Sequence, residues 1–110
     1  MLFTYHIFRV GQHAETGSVE WPQQPEYHHI KELAMPLLGG AYPERVAVLF
    51  NGKPADMFVD EIGMLKGLPR NREATAIYRA NRLTKHPDTD PETLPAIYGT
   101  AIVFDQRVWF

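Results

Sequence analysis

The residues best equipped for chemistry lie in one stretch, "KGLPRNREATAIYRANR", from Lys66 to Arg82. Between Lys66 and His86 there are six basic residues (Lys66, Arg70, Arg72, Arg79, Arg82 and Lys85) and one acid, Glu73, a net of +5. The rest of the chain holds five basic and twelve acidic groups, a net of −7, so the overall charge of −2 conceals a strong polarity. At ~100° per residue, Arg72, Thr75, Arg79, Arg82 and His86 fall on one side of a helix, with Ala74, Ile77 and Tyr78 broadly opposite. One side then packs and the other presents guanidinium groups. Their planar N–H forks match carboxylates and phosphates.

The turn before that helix adds to the pattern. Gly67 permits a sharp bend, Pro69 biases Leu68 away from helical geometry, and Asn71 is suited to cap the helix. Backbone N–H groups at the helix start would point outward beside Lys66, Arg70 and Arg72, a generic seat for an anion. The candidate binding residues are therefore Lys66, Arg70, Asn71, Arg72, Arg79 and Arg82. Two bland readings fit the same residues. The turn can be a strand-to-helix connection with no ligand. The helix face can be solvated, its arginines answering Asp88, Asp90 and Glu92 in surface pairs worth ~0–1 kcal/mol each.

Other chemistry finds less support. Adjacent His28 and His29 point ~100° apart on a helix and cannot form the i, i+4 pair of a zinc helix. His6 and His13 have no recognisable partner spacing. Asp88-x-Asp90-x-Glu92 begins like a calcium loop, but its sixth position is Thr93 where such loops need glycine. Asp56 and Asp60 would lie ~13 Å apart along one strand, long for a catalytic pair, so turn or surface roles are expected. Phosphate-binding, nucleophile-elbow and dinucleotide fingerprints are missing. A non-enzyme without cofactor or metal is the expectation, with a site assembled from scattered His, Asp and Arg residues as an alternative.

The elements that must position these residues follow from periodicity. Leu2 to Val10 reads as a strand with Phe3, Tyr5 and Ile7 on a buried face. A loop and short strand follow around Val19 and Trp21. Glu26 to Leu38 is an amphipathic helix with Tyr27, Ile30, Leu33, Ala34, Leu37 and Leu38 on one face, ended by Gly39-Gly40. Arg45–Phe50 and Ala55–Asp60 form a hairpin about Asn51-Gly52, whose two residues suit a type I′ turn. Its two-residue loop sets Val48 opposite Ala55, Val46 opposite Met57 and Glu44 opposite Val59. Asn71 to about Leu83 is the second helix. Asp90 can cap a turn at Pro91, and strands are expected over Thr100–Phe104 and Val108–Phe110.

The chain has 110 residues, enough for one core, and the whole of 1–110 reads as a single α+β domain: a mostly antiparallel sheet with two helices packed on it. Cysteine is absent, which excludes disulfides and thiolate chemistry. No run approaches the ~20 apolar residues of a membrane span. The start lacks the basic and apolar regions of a signal peptide, so a cytoplasmic location is expected. The sequence pI of about 6.2 argues against strong nucleic-acid binding, which stays as an alternative to an acidic protein surface. A homodimer through Trp21, Trp109 or Phe110 is compatible with either.

Leu38-Gly39-Gly40 closing a helix, the hairpin, Gly67-Leu68-Pro69-x-Asn71 and a late Gly99 before an apolar strand form a further pattern. Over roughly residues 33 to 104 it resembles a small domain family of unknown function from bacterial, phage and plasmid genomes. The resemblance implies a compact α+β accessory domain of mobile-element origin. It implies no catalytic residues.

Overall fold

A computed structural model describes residues 1–109. Strands β1 (Leu2–Phe8), β2 (Glu15–Glu20), β3 (Pro43–Phe50), β4 (Lys53–Asp60) and β5 (Ala101–Phe104) form one sheet in the order β2-β1-β5-β4-β3. Every neighbouring pair is antiparallel. Helix α1 (Tyr27–Leu37) carries the chain from β2 to β3, and helix α2 (Arg72–Lys85) from β4 to β5. The chain is thus an α+β domain in which two helices pack on a five-stranded antiparallel sheet. Among the described residues, no helix is long and apolar enough to cross a membrane.

The β3–β4 hairpin has the expected register: Val48 faces Ala55, Val46 faces Met57 and Glu44 faces Val59. Asn51 and Gly52 take φ values of 52° and 79°, the left-handed pair that a type I′ turn requires. That register sorts side chains between two cores. Phe3, Phe58, Ile102 and Phe104 pack with Ile30 and Ala34 of α1 and with Leu38, which follows it. Val48, Met57, Ala101 and Val103 pack with Ala74 of α2. Alternate residues of β5 serve alternate cores, so the helices lie on opposite faces and the sheet is the middle layer. All four β5 residues are buried. An apolar run without alternation is the form expected of a strand covered on both sides.

Helix α1 begins where the His29 ring Nδ1 accepts the Glu26 N–H at 3.0 Å. Pro36 sits within its last turn. Gly39 and Gly40 then adopt positive φ, and the Gly40 N–H reaches back to the Met35 carbonyl at 2.7 Å. Asp90 Oδ1 accepts the Glu92 N–H and opens a 3₁₀ turn over Pro91–Thr93.

Three expectations need correction. Residues 105–109 form no strand; Phe110 lies outside the described residues. Asp56 is neither a turn nor a surface residue. Its side chain is wholly buried on the α1 face, where Oδ2 accepts the Val108 and Trp109 N–H groups at 2.8 and 2.9 Å. Oδ1 accepts the Arg45 Nε–H at 2.8 Å. A buried carboxylate needs such partners, and here the partners are what straps residues 108–109 to the sheet. Trp21 is not an exposed aromatic. It is 7% exposed, with ring centroids 5.7 Å from Phe3 and 5.4 Å from Phe104. Trp109 is half-buried with its ring edge-on to Tyr27 at 5.8 Å.

Candidate functional site

The expected helix starts at Arg72, after an N-cap at Asn71 whose side-chain oxygen accepts the Ala74 N–H at 3.0 Å. The same side chain donates its amide to the carbonyls of Phe8 (2.8 Å) and Gly99 (2.9 Å). Asn71 is 3% exposed, with both ends of its amide committed. It therefore ties α2 to the end of β1 and the approach to β5, and it presents nothing to a ligand. The adjoining turn is closely packed. Gly67 has φ +73°. Gly99 has φ +81°, and a Cβ there would stand 2.8 Å from Leu68 Cδ1. Arg70 is held by a backbone bridge to Tyr98.

The arginines divide into two groups. Arg70, Arg72 and Arg79 line one open concavity with Thr75 and Ala76. Seven residues separate Arg72 from Arg79, about two full turns, so their side chains leave the helix in nearly the same direction. Arg82 lies ~60° further round. It is exposed, its Nε–H donates to the Tyr78 hydroxyl at 3.3 Å, and its guanidinium sits 5.8 Å from the Tyr78 ring centroid. That hydrogen bond, with the coulombic interaction with Tyr78, raises Arg82 above its ordinary value, and a guanidinium is in any case a permanent cation.

The groups also differ in how fully the protein satisfies them. Among the described residues, Arg70 and Arg72 are exposed and make no side-chain hydrogen bond or ion pair. Arg79 is only 13% exposed. One of its terminal nitrogens donates to the Leu94 carbonyl at 3.0 Å, and Glu92 stands 3.8 Å from the other. Its Nε is buried without a partner. Lys66 is bound to the protein itself, with Nζ donating to Asp60 Oδ2 at 2.8 Å. Asp60 is buried, and its Oδ1 also accepts the Ile62 N–H at 2.9 Å. Lys66 thus compensates an internal carboxylate.

Thr75 lines the arginine concavity as expected, but it is buried and its hydroxyl is not available to a ligand. Its hydroxyl is turned inward, accepting the Ile97 N–H at 2.9 Å and donating to the Ile97 carbonyl at 3.4 Å. Asn81 is likewise buried, its amide donating to the Ala47 carbonyl of edge strand β3 at 3.0 Å. These two bonds fix the rotation of the helix about its axis, with Arg79 mostly covered and Arg82 exposed. Ala74, Ile77 and Tyr78 pack toward the sheet as the periodicity indicates.

On the other flank of α2 a second cleft of about 500 Å³ opens against β3 and the turn after β4. It takes in Arg82 and Lys85 from the helix, and Glu44 and Glu61 from the opposite side. Periodicity had no means of finding it, because its walls come from four separate segments, 44–47, 59–64, 78–85 and 95–98. The only local signal is the unmatched Glu44 opposite Val59 at the start of the hairpin. Among the described residues, no group of three or more His, Asp or Glu side chains comes together as a metal site would require. Comparison with protein-family models, with curated proteins and with solved structures gave no match to this chain.

Proposed function

We propose that this chain is an interaction module, not a catalyst, that docks an acidic protein surface through Arg70, Arg72 and Arg79. The observation that supports this reading is the convergence of three guanidinium groups on one concavity while two of them lack any internal partner. An unpaired arginine keeps its fork available for a bidentate carboxylate contact, which is shorter and stronger than a neutral hydrogen bond. Arg79, fixed by Leu94, gives the concavity a rigid wall, so less side-chain entropy is lost on binding there. An accessory role in phage or plasmid biology belongs to the same proposal.

Nucleic acid is the less favoured partner. A duplex would extend beyond the concavity over a chain whose residues outside Lys66–His86 carry a net −7. The two readings separate in a binding assay using a fluorescent hexaglutamate peptide and a short DNA duplex as probes. The module reading expects peptide binding that drops about tenfold or more in R70E/R72E, with weaker binding of the duplex. Tighter duplex binding with a steep salt slope would replace the acidic protein surface by nucleic acid. Peptide binding that survives the double reversal would remove the concavity from consideration.

A further inference from the structure

The cleft on the second flank of α2 differs from the arginine concavity in one respect that bears on its use. It holds uncompensated charge of both signs. Two of its charged lining residues are already answered elsewhere: Arg45 by Asp56, and Asp60 by Lys66. The other four are not. Among the described residues, Arg82 and Lys85 reach no carboxylate, and Glu44 and Glu61 reach no cation. The two pairs border the same opening and form no ion pair with each other. The space between them is what a ligand would fill.

Its apolar lining is equally defined. Val46, Val59 and Ile97 belong to or pack against the α2-side core, and Met64 stands exposed at the rim. Tyr78 and Tyr98 add two aromatic rings. Because Arg82 spends its Nε–H on Tyr78, both terminal nitrogens keep their N–H groups for an incoming carboxylate. The volume of about 500 Å³ lies within the ~300–1,000 Å³ usual for small-molecule sites.

We infer that this cleft binds a small zwitterion of the amino-acid class with an apolar side chain. Its carboxylate lies toward Arg82 and Lys85, its ammonium toward Glu44 and Glu61, and its side chain against Val46, Ile97 and Met64. Anions or cations alone would leave one pair of charges unanswered. A purely apolar ligand would leave both unanswered and would shield them from water at a cost. A free amino acid and a short peptide share the required chemistry, and the space admits either.

Titration of the full chain followed by ¹⁵N–¹H spectra tests this with four probes: L-phenylalanine, alanyl-phenylalanine, 3-phenylpropionate and 2-phenylethylamine. Shifts confined to residues 44–47, 59–64, 78–85 and 95–98 are expected with the first two. Each truncated analogue, lacking one charge, should bind about tenfold more weakly or worse. Stronger binding of the dipeptide would assign the site to short peptides, and stronger binding of phenylalanine to the free amino acid. R82Q/K85Q should reduce phenylalanine to the level of phenylethylamine, and E44Q/E61Q should reduce it to the level of phenylpropionate. R70E/R72E should change none of these titrations, which keeps this test independent of the docking proposal. Equal binding of all four probes, or no shift at ~10 mM phenylalanine, a bound set by ordinary millimolar affinities, would overturn the inference on the wild-type chain alone.

Discussion

The two faces of the sheet treat charge in opposite ways. On the α1 face the buried carboxylates of β4 are fully engaged: Asp56 takes three N–H donors, and Asp60 takes Lys66 and the Ile62 N–H. Along α2 and the turn before it the exposed cations Arg70, Arg72, Arg82 and Lys85 meet no carboxylate among the described residues. The difference separates structural charge from available charge. A buried ion without partners costs several kcal/mol, so the fold must satisfy it internally. An exposed ion is satisfied by water, so the fold places no demand on it and a partner can take it.

That contrast predicts a graded series. Asp56→Ala should be the most damaging change, lowering unfolding free energy by about 4 kcal/mol in urea titration, because it orphans two buried N–H groups and Arg45. It should also raise hydrogen exchange at Val108 and Trp109 before other sites. A loss under about 1 kcal/mol would mean the strap contributes little and the contrast between faces is overstated. Asn71→Ala should cost about 2–3 kcal/mol, combining a lost N-cap with two unpaired carbonyls. Lys66→Met should cost about 1–2 kcal/mol by leaving Asp60 with the Ile62 N–H alone. R70E/R72E should stay within about 0.5 kcal/mol of the parent while changing binding, the signature of charge that the fold does not use. A large stability loss in that double variant would blur the comparison at its exposed end.

The hairpin, both helices and the N-cap at Asn71 were legible in the sequence because each is a local matter. Asn51-Gly52 fixes a register by backbone geometry, and the 3.6-residue period marks the packed sides of α1 and α2. The opposite placement of the helices was legible only in retrospect, from the unbroken apolar run Ala101–Phe104. Asp56 does not follow the surface expectation because two of its three donors, the Val108 and Trp109 N–H groups, lie 52 and 53 residues away. An acid between apolar neighbours in "ADMFVD" can be solvated or buried, and nothing nearby decides between them. The helix wheel grouped Arg82 with Arg72 and Arg79, but it stands ~80° from Arg72 and ~60° from Arg79 and lines the other cleft. It could not register that Tyr78 captures Arg82, that Leu94 captures Arg79, or that Thr75 turns inward to Ile97.

The placement of β5 also bears on how the molecule assembles. It is the last of the five strands to be synthesised, yet it sits between two hairpins that share no hydrogen-bonded strand pair with each other. Each hairpin can form early from neighbouring residues, but a lone two-stranded unit is marginal in water. Vectorial folding therefore stalls at a pair of half-sheets with sticky inner edges until Ala101–Phe104 arrives to zip them together. Folding should be slow for a domain of this size, and intermediates missing that strand should be the species most prone to aggregate.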